Sequence, residues 1–186
     1  MKELSLNILD IAQNSVSAEA KNISILLEET ESGRLTLTIT DDGKGMSPEM
    51  VQSVTDPFCT TRTTRRVGMG IPLLKLASEQ TGGCLSIVSV PKETDPIGCG
   101  TTVRATFDTT SIDFTPLGDV VDTLVVLIQG HPEIDYLFLH STPAGTVKLD
   151  TKELRSILGE EISLGEFEIL DWIRGSLEEQ YQALKK

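Results

Sequence analysis

Two runs of strict alternation constrain the fold more than any other feature of the chain. Ile23, Ile25 and Leu27 occupy every second position, as do Leu35, Leu37 and Ile39, the latter interleaved with threonines. A period of two belongs to a strand with one buried face. Glu31-Ser32-Gly33 supplies the turn between the runs, so strands are predicted over 22–29 and 34–40. The second runs without a break into Asp41-Asp42-Gly43-Lys44-Gly45-Met46, where two glycines let the backbone come close to another group. Ahead of the strands, Leu4, Ile8, Ile11 or Ala12, and Ser15 or Val16 recur at helical spacing and predict a helix over 4–20. Its other side carries Asn7, Asp10, Asn14 and Ser17 at steps of three, four and three, which lines four hydrogen-bonding side chains in one stripe.

The pattern continues as alternating helices and strands. Ser47-Pro48-Glu49 reads as a cap, an N1 proline and a short helix. Gly68-Met69-Gly70 opens a further helix and Thr81-Gly82-Gly83 ends it. Strands at 84–90 and 101–107 follow, joined by a loop that closes with Gly98-Cys99-Gly100. The charge balance then shifts, from net −4 over residues 1–108 to net −8 over 109–186. A boundary near 108–115 is expected, with one domain over 1–110 and a small α/β module over 111–186. The module reads as a helix over 116–129, strands at 134–140 and 146–149, and a helix after Thr151. A last helix is expected from the capping box Ser163-Leu164-Gly165-Glu166, running on through Phe167, Leu170, Ile173, Leu177, Tyr181 and Leu184.

Charge and cysteine usage narrow the function classes. The 186 residues carry a net charge of −12, which disfavours broad attraction to nucleic acid or to anionic membranes. The one basic stretch is Pro57 to Ser78, which holds Arg62, Arg65, Arg66 and Lys75 and no acid. Cys59, Cys84 and Cys99 have no C-x-x-C spacing, so neither a disulfide framework nor a zinc site is expected. No apolar run reaches the 18 residues of a membrane span. A cytoplasmic protein with reduced thiols is the expectation.

Three short patterns carry chemistry when taken together: the stripe with Asp10 and Asn14, the loop Asp41-x-Gly43-x-Gly45, and Gly68-x-Gly70 after an arginine-rich segment. In this order they resemble the GHKL superfamily of ATP-binding domains, which includes gyrase, a heat-shock chaperone, histidine kinases and the mismatch-repair protein MutL. The resemblance covers roughly residues 1–108 and is closest in style to histidine kinases. It implies an α/β two-layer sandwich, a mixed β-sheet backed by helices, with magnesium-ATP bound between the first helix, the glycine loops and a lid. Asn14 falls where the family's N box holds Mg²⁺ through the ATP phosphates, and a neutral amide oxygen suits that hard ion. Asp41 falls where the family's carboxylate accepts from the adenine amino group, with Gly43, Gly45 and Met46 in the same G1 box.

Asp56-Pro57-Phe58-Cys59-Thr60-Thr61-Arg62 resembles the F box and lid start, which makes Phe58, Thr60 and Thr61 candidate nucleotide contacts. Gly68, Met69, Gly70 and Ile71 match the G2 box, whose backbone amides would cradle phosphate at a helix N-terminus. Thr101, in Gly98-Cys99-Gly100-Thr101-Thr102, matches the G3 box. Arg62 and Arg66 are the candidate phosphate-neutralising cations, and Asp10 the candidate base. The chain departs from the pattern at three places: Arg66 replaces a glycine, Asp10 stands for the glutamate of ATPase members, and Ser17 for an aspartate. The only histidines are His131, ahead of Pro132, and His140, at the end of an apolar strand. Any phosphoacceptor is therefore expected on a partner protein, and a homodimer is compatible with the family. A stand-alone protein phosphotransferase is the leading expectation. An ATP-gated ATPase, with Lys148 or Lys152 reaching the γ-phosphate, and a nucleotide-sensing module are the alternatives.

Overall fold

The computed structural model describes residues 3–55, 69–159 and 161–185. The first helix, α1 (Leu4–Ser17), leads into β1 (Asn22–Glu29) and β2 (Arg34–Asp41); α2 (Pro48–Thr55) and α3 (Gly70–Gln80) precede β3 (Leu85–Val90) and β4 (Gly100–Asp108). The second half adds α4 (Val120–Gly130), β5 (Asp135–Thr142), β6 (Gly145–Asp150), α5 (Thr151–Leu158) and α6 (Phe167–Ala183). The expected α/β architecture of a mixed sheet backed by helices is what the chain adopts.

Among the described residues, six strands form one sheet in the order β3-β4-β2-β1-β5-β6. Every pairing is antiparallel except β1 with β5, which run parallel. Alternation places Ile23, Ile25 and Leu27 opposite Tyr136, Phe138 and His140 on one face, and all six are buried. On β2, Leu37 and Ile39 sit opposite Ala105 and Val103 of β4 on the same face. α1 packs between α3 and α4, and α4 also packs against α6. The other face carries Thr38, Thr40 and Thr102 and is partly open.

The strands at 134–140 and 146–149 were expected in a separate module, yet they extend the sheet of the first half through β1. One hydrophobic cluster runs from Leu4 and Ile8 through Phe107 to Leu124, Phe138, Ile173 and Leu177. The second half also completes α1. The Leu4 and Ser5 N–H groups, which lack intrahelical acceptors, donate to the Pro116 and Leu117 carbonyls at 2.9 and 2.8 Å.

Two helix ends differ from expectation. α1 stops at Ser17, because Glu19 adopts φ +65° and its N–H reaches the Val16 carbonyl while Ala20 N–H reaches that of Ser15. This is a Schellman stop, usually made by glycine. α6 begins at Phe167 instead of the Ser163 box: Ser163 Oγ accepts from Gly165 N–H, and Leu164 is fully buried, holding the segment as a turn.

Candidate functional site

The end of β2 positions the site. Asp41 is only 8% exposed and sits directly opposite Thr101 of β4 in the ladder. One carboxylate oxygen accepts from Gly43 N–H at 2.9 Å, and the other accepts from the Ser15 hydroxyl at 2.6 Å. Burying a carboxylate is costly unless such bonds replace water. Ser15 donates from α1, so helix and strand jointly fix the group.

The glycine loop gains its shape from the surrounding protein. A Cβ on Gly43 would lie 2.8 Å from both the Ala18 Cβ and the Ala18 carbonyl oxygen. Gly45 has φ +66°, and a Cβ there would overlap the Val90 carbonyl. Lys44 N–H donates to Ala18 O, and Lys92 N–H to Lys44 O. The loop is thereby sewn to the end of α1 and the end of β3. Asp42 points away from Asp41 and accepts from Lys21 N–H, Asn22 N–H and the Asn22 amide at 2.7–2.9 Å. Burial pushes its pKa up, but these bonds outweigh that and hold it below the ordinary value.

A cleft of about 370 Å³ opens beside Asp41, within the range of small-molecule sites. Ile39, Val103, Ile71 and Val54 form a buried apolar floor, Met46 and Met50 an apolar rim, and Asn14, Ser15, Ser17, Asp41, Lys44 and Thr101 the polar wall. The structure brings together the expected Asn14, Asp41, Gly45, Met46, Ile71 and Thr101 around this space. Asp10 is exposed one turn before Asn14, beside the start of α3. A Cβ on Gly70 would stand 2.8 Å from that of Asp10, so the two helices cross there and the carboxylate lies near the positive end of α3. Met69, just ahead of that helix, is exposed. Phe58, Thr60, Thr61, Arg62, Arg66 and Gly68 lie outside the described residues.

Asn7 leaves the expected stripe: it is 1% exposed, and its amide nitrogen is the one buried side-chain nitrogen or oxygen without a partner among the described residues. Lys148 is engaged by Glu153 at 2.8 Å on edge strand β6, three strands from β2, and Lys152 is exposed on α5. His131 caps the end of α4. His140 is buried between the Tyr181 hydroxyl, 2.9 Å, and Glu29, 3.0 Å. A larger opening of about 540 Å³ lies by Glu3, Asp119 and Glu178 and contains none of the motif residues. Among the described residues no three His, Cys, Asp or Glu side chains are placed to hold a metal ion, and no helix is long and apolar enough to cross a membrane. Ser15 and Ser89, which fix Asp41 and Thr101, were not singled out from sequence: their role depends on partners 26 and 12 residues away.

Residues 1–111 match the family model described as histidine kinase-, DNA gyrase B-, and HSP90-like ATPase. The chain is 31% identical over 85 residues to the sensor histidine kinase ZraS of Salmonella typhi, covering 45% of this chain and 18% of that protein. It is 25% identical over 114 residues to a putative sensor histidine kinase NtrY-like of Rickettsia conorii, 61% of this chain and again 18% of that protein. The chain thus spans less than a fifth of the length of these relatives. Among solved structures, the Aquifex aeolicus MutL ATPase domain complexed with ADP superposes with a TM-score of 0.54 at 13% identity, over 85% of this chain and 69% of that one. That coverage is more than residues 1–111 supply, so the likeness of fold extends into the second half.

Proposed function

The chain belongs to the histidine kinase-, DNA gyrase B-, and HSP90-like ATPase family, and from that premise we propose that the cleft at the end of β2 binds magnesium-ATP. The observation that carries this reading is Asp41: a buried carboxylate with both oxygens already fixed by the protein, facing an apolar-floored cleft. Its remaining lone pairs suit an exocyclic amino group, and Ile39, Val103, Ile71 and Met46 suit the flat faces of a purine. The triphosphate then runs along α1 toward Asn14, Asp10 and the start of α3, with Gly68 to Ile71, Arg62 and Arg66 as its proposed contacts. The donor set fits the ion: Asn14 offers a neutral amide oxygen on the cleft wall, and Mg²⁺ takes the rest of its shell from phosphate and water. When bound, the ion neutralises phosphate charge. The chain's own residues orient the nucleotide, and Asp10, exposed one turn before Asn14, is the proposed base for an attacking hydroxyl or water.

The proposed reaction is transfer of the γ-phosphate to a partner protein. The likeness to sensor histidine kinases supports it, and the two histidines direct the acceptor elsewhere, since His140 is buried and His131 ends a helix. A second reading, a nucleotide-gated conformational ATPase, is favoured by the MutL-like extension of the fold beyond residue 111. The experiment that separates them follows the γ-phosphate of labelled magnesium-ATP in the presence of a lysate of the source cell, with Asp41→Asn as control. Label on a protein supports the phosphotransferase; free phosphate alone supports the ATPase. We further propose a cytoplasmic location.

A further inference from the structure

One row of side chains crosses the sheet at the cleft: Ser89 of β3 stands opposite Thr101 of β4, and Thr101 opposite Asp41 of β2. Ser89 Oγ lies 2.8 Å from Thr101 Oγ1, 3.0 Å from the Gly100 carbonyl oxygen and 2.8 Å from Met46 N. A hydroxyl has one hydrogen and two lone pairs. The Gly100 carbonyl can only accept and the Met46 N–H can only donate. One assignment turns all three contacts into hydrogen bonds: Ser89 donates to Gly100 and accepts from both Met46 N–H and Thr101 O–H. If Ser89 donated to Thr101 instead, its contact with the Gly100 oxygen would hold no hydrogen. Thr101, 9% exposed, therefore sends its hydrogen toward Ser89 and turns lone pairs to the cleft. Ser15 commits its single hydrogen to Asp41 at 2.6 Å, and the carboxylate has none.

The geometry points to Ser89 as a positioning residue for base specificity: by drawing the Thr101 hydrogen away, it makes the Asp41–Thr101 stretch of the cleft wall acceptor-only. Such a wall takes a nucleobase through an amino group and rejects one that presents a carbonyl there. Adenine has an amino group at position 6, whereas guanine and hypoxanthine place an oxygen there, which would meet Asp41 and Thr101 with no hydrogen between them. This rests on the reading of the cleft as an adenine-nucleotide site and names the device that selects the base. Ser89 does not itself line the cleft.

The test is a titration of the full chain with ATP, ITP and GTP for the unaltered protein, Ser89→Ala and Ser89→Thr. The unaltered protein should favour ATP over ITP by about 100-fold, the scale of one lost charge-assisted hydrogen bond. In Ser89→Ala the Thr101 hydrogen is free to meet a carbonyl. The ATP-to-ITP ratio should fall about tenfold, mainly through tighter ITP binding, and Ser89→Thr should keep the original ratio. Thr101→Val added to Ser89→Ala should cancel the gain for ITP. Parallel weakening of both nucleotides in Ser89→Ala, with the ratio unchanged, overturns the proposal and leaves the nucleotide site standing. No ATP binding by the unaltered protein overturns the nucleotide reading itself. Should Ser89→Ala fail to fold, Thr101→Val alone decides: with Thr101 held as an acceptor, its removal should lower the ATP-to-ITP ratio, and a ratio that stays the same or rises overturns the proposal.

Discussion

Asp41 and Asp42 are neighbours with the same side chain and opposite tasks. Asp41 turns inward to Ser15 and the cleft, whereas Asp42 turns outward and ties the start of β1 through Lys21 and Asn22. Their separation follows from strand alternation, which sends successive side chains to opposite faces. The pKa of Asp42 is held below its ordinary value of 3.8, so its bonds stabilise the fold above that value, and the contribution is lost as pH falls through the folded-state value. Asp42→Asn is expected to flatten the loss of stability below about pH 4, to be measured by acid denaturation; an unchanged acid limb contradicts this role. Asn14 is exposed, so Asn14→Ala should leave thermal stability within about 0.5 kcal/mol while removing most of the magnesium dependence of ATP binding. Titrations with and without the ion check it, and a magnesium effect as large as in the unaltered protein counts against Asn14 as a ligand.

At the scale of elements, the loop after β2 depends on what it packs against. Gly45 combines a left-handed backbone with close approach to the Val90 carbonyl, so Gly45→Ala should cost about 2 kcal/mol or more from backbone strain and overlap together, read as a lowered melting temperature. A melting temperature unchanged within a degree would show that the loop can move off β3. The strands were legible because alternation reports a buried face directly. Helix ends were less so. α1 stops at Ser17 because of Glu19, a residue that carries no sequence signal for positive φ, and the Ser163 box was outweighed by burial of Leu164. The site was legible where one loop carries it, as with Asp41 to Met46. It was not legible at Ser15 and Ser89, whose meaning arises only when α1 lies over β2 and β3 lies beside β4. Asn7 shows the reverse error, since helical spacing put it in the polar stripe and packing buried it.

For the whole molecule, charge balance suggested a boundary near 108–115, but the sheet and the hydrophobic cluster run across it. Composition reports surface chemistry, and a β-ladder between distant segments leaves no trace in it. His140 illustrates the joining: it lies on β5, with Glu29 of β1 on one ring nitrogen and Tyr181 of α6 on the other. Residues 1–111 alone would expose the β1 edge that β5 pairs with and the side of α1 that α4 packs against. We expect that fragment to lose the cooperative thermal transition or to self-associate; a monomer that melts cooperatively would show that the first half is complete by itself. The central claim is that Asp41 reads adenine in a magnesium-ATP cleft. Calorimetric titration of the unaltered chain and of Asp41→Asn with magnesium-ATP tests it most directly. The account predicts one site per chain, weakened at least tenfold in the variant by loss of a charge-assisted hydrogen bond. Equal affinity in the two proteins, or no binding by the unaltered one, would contradict it.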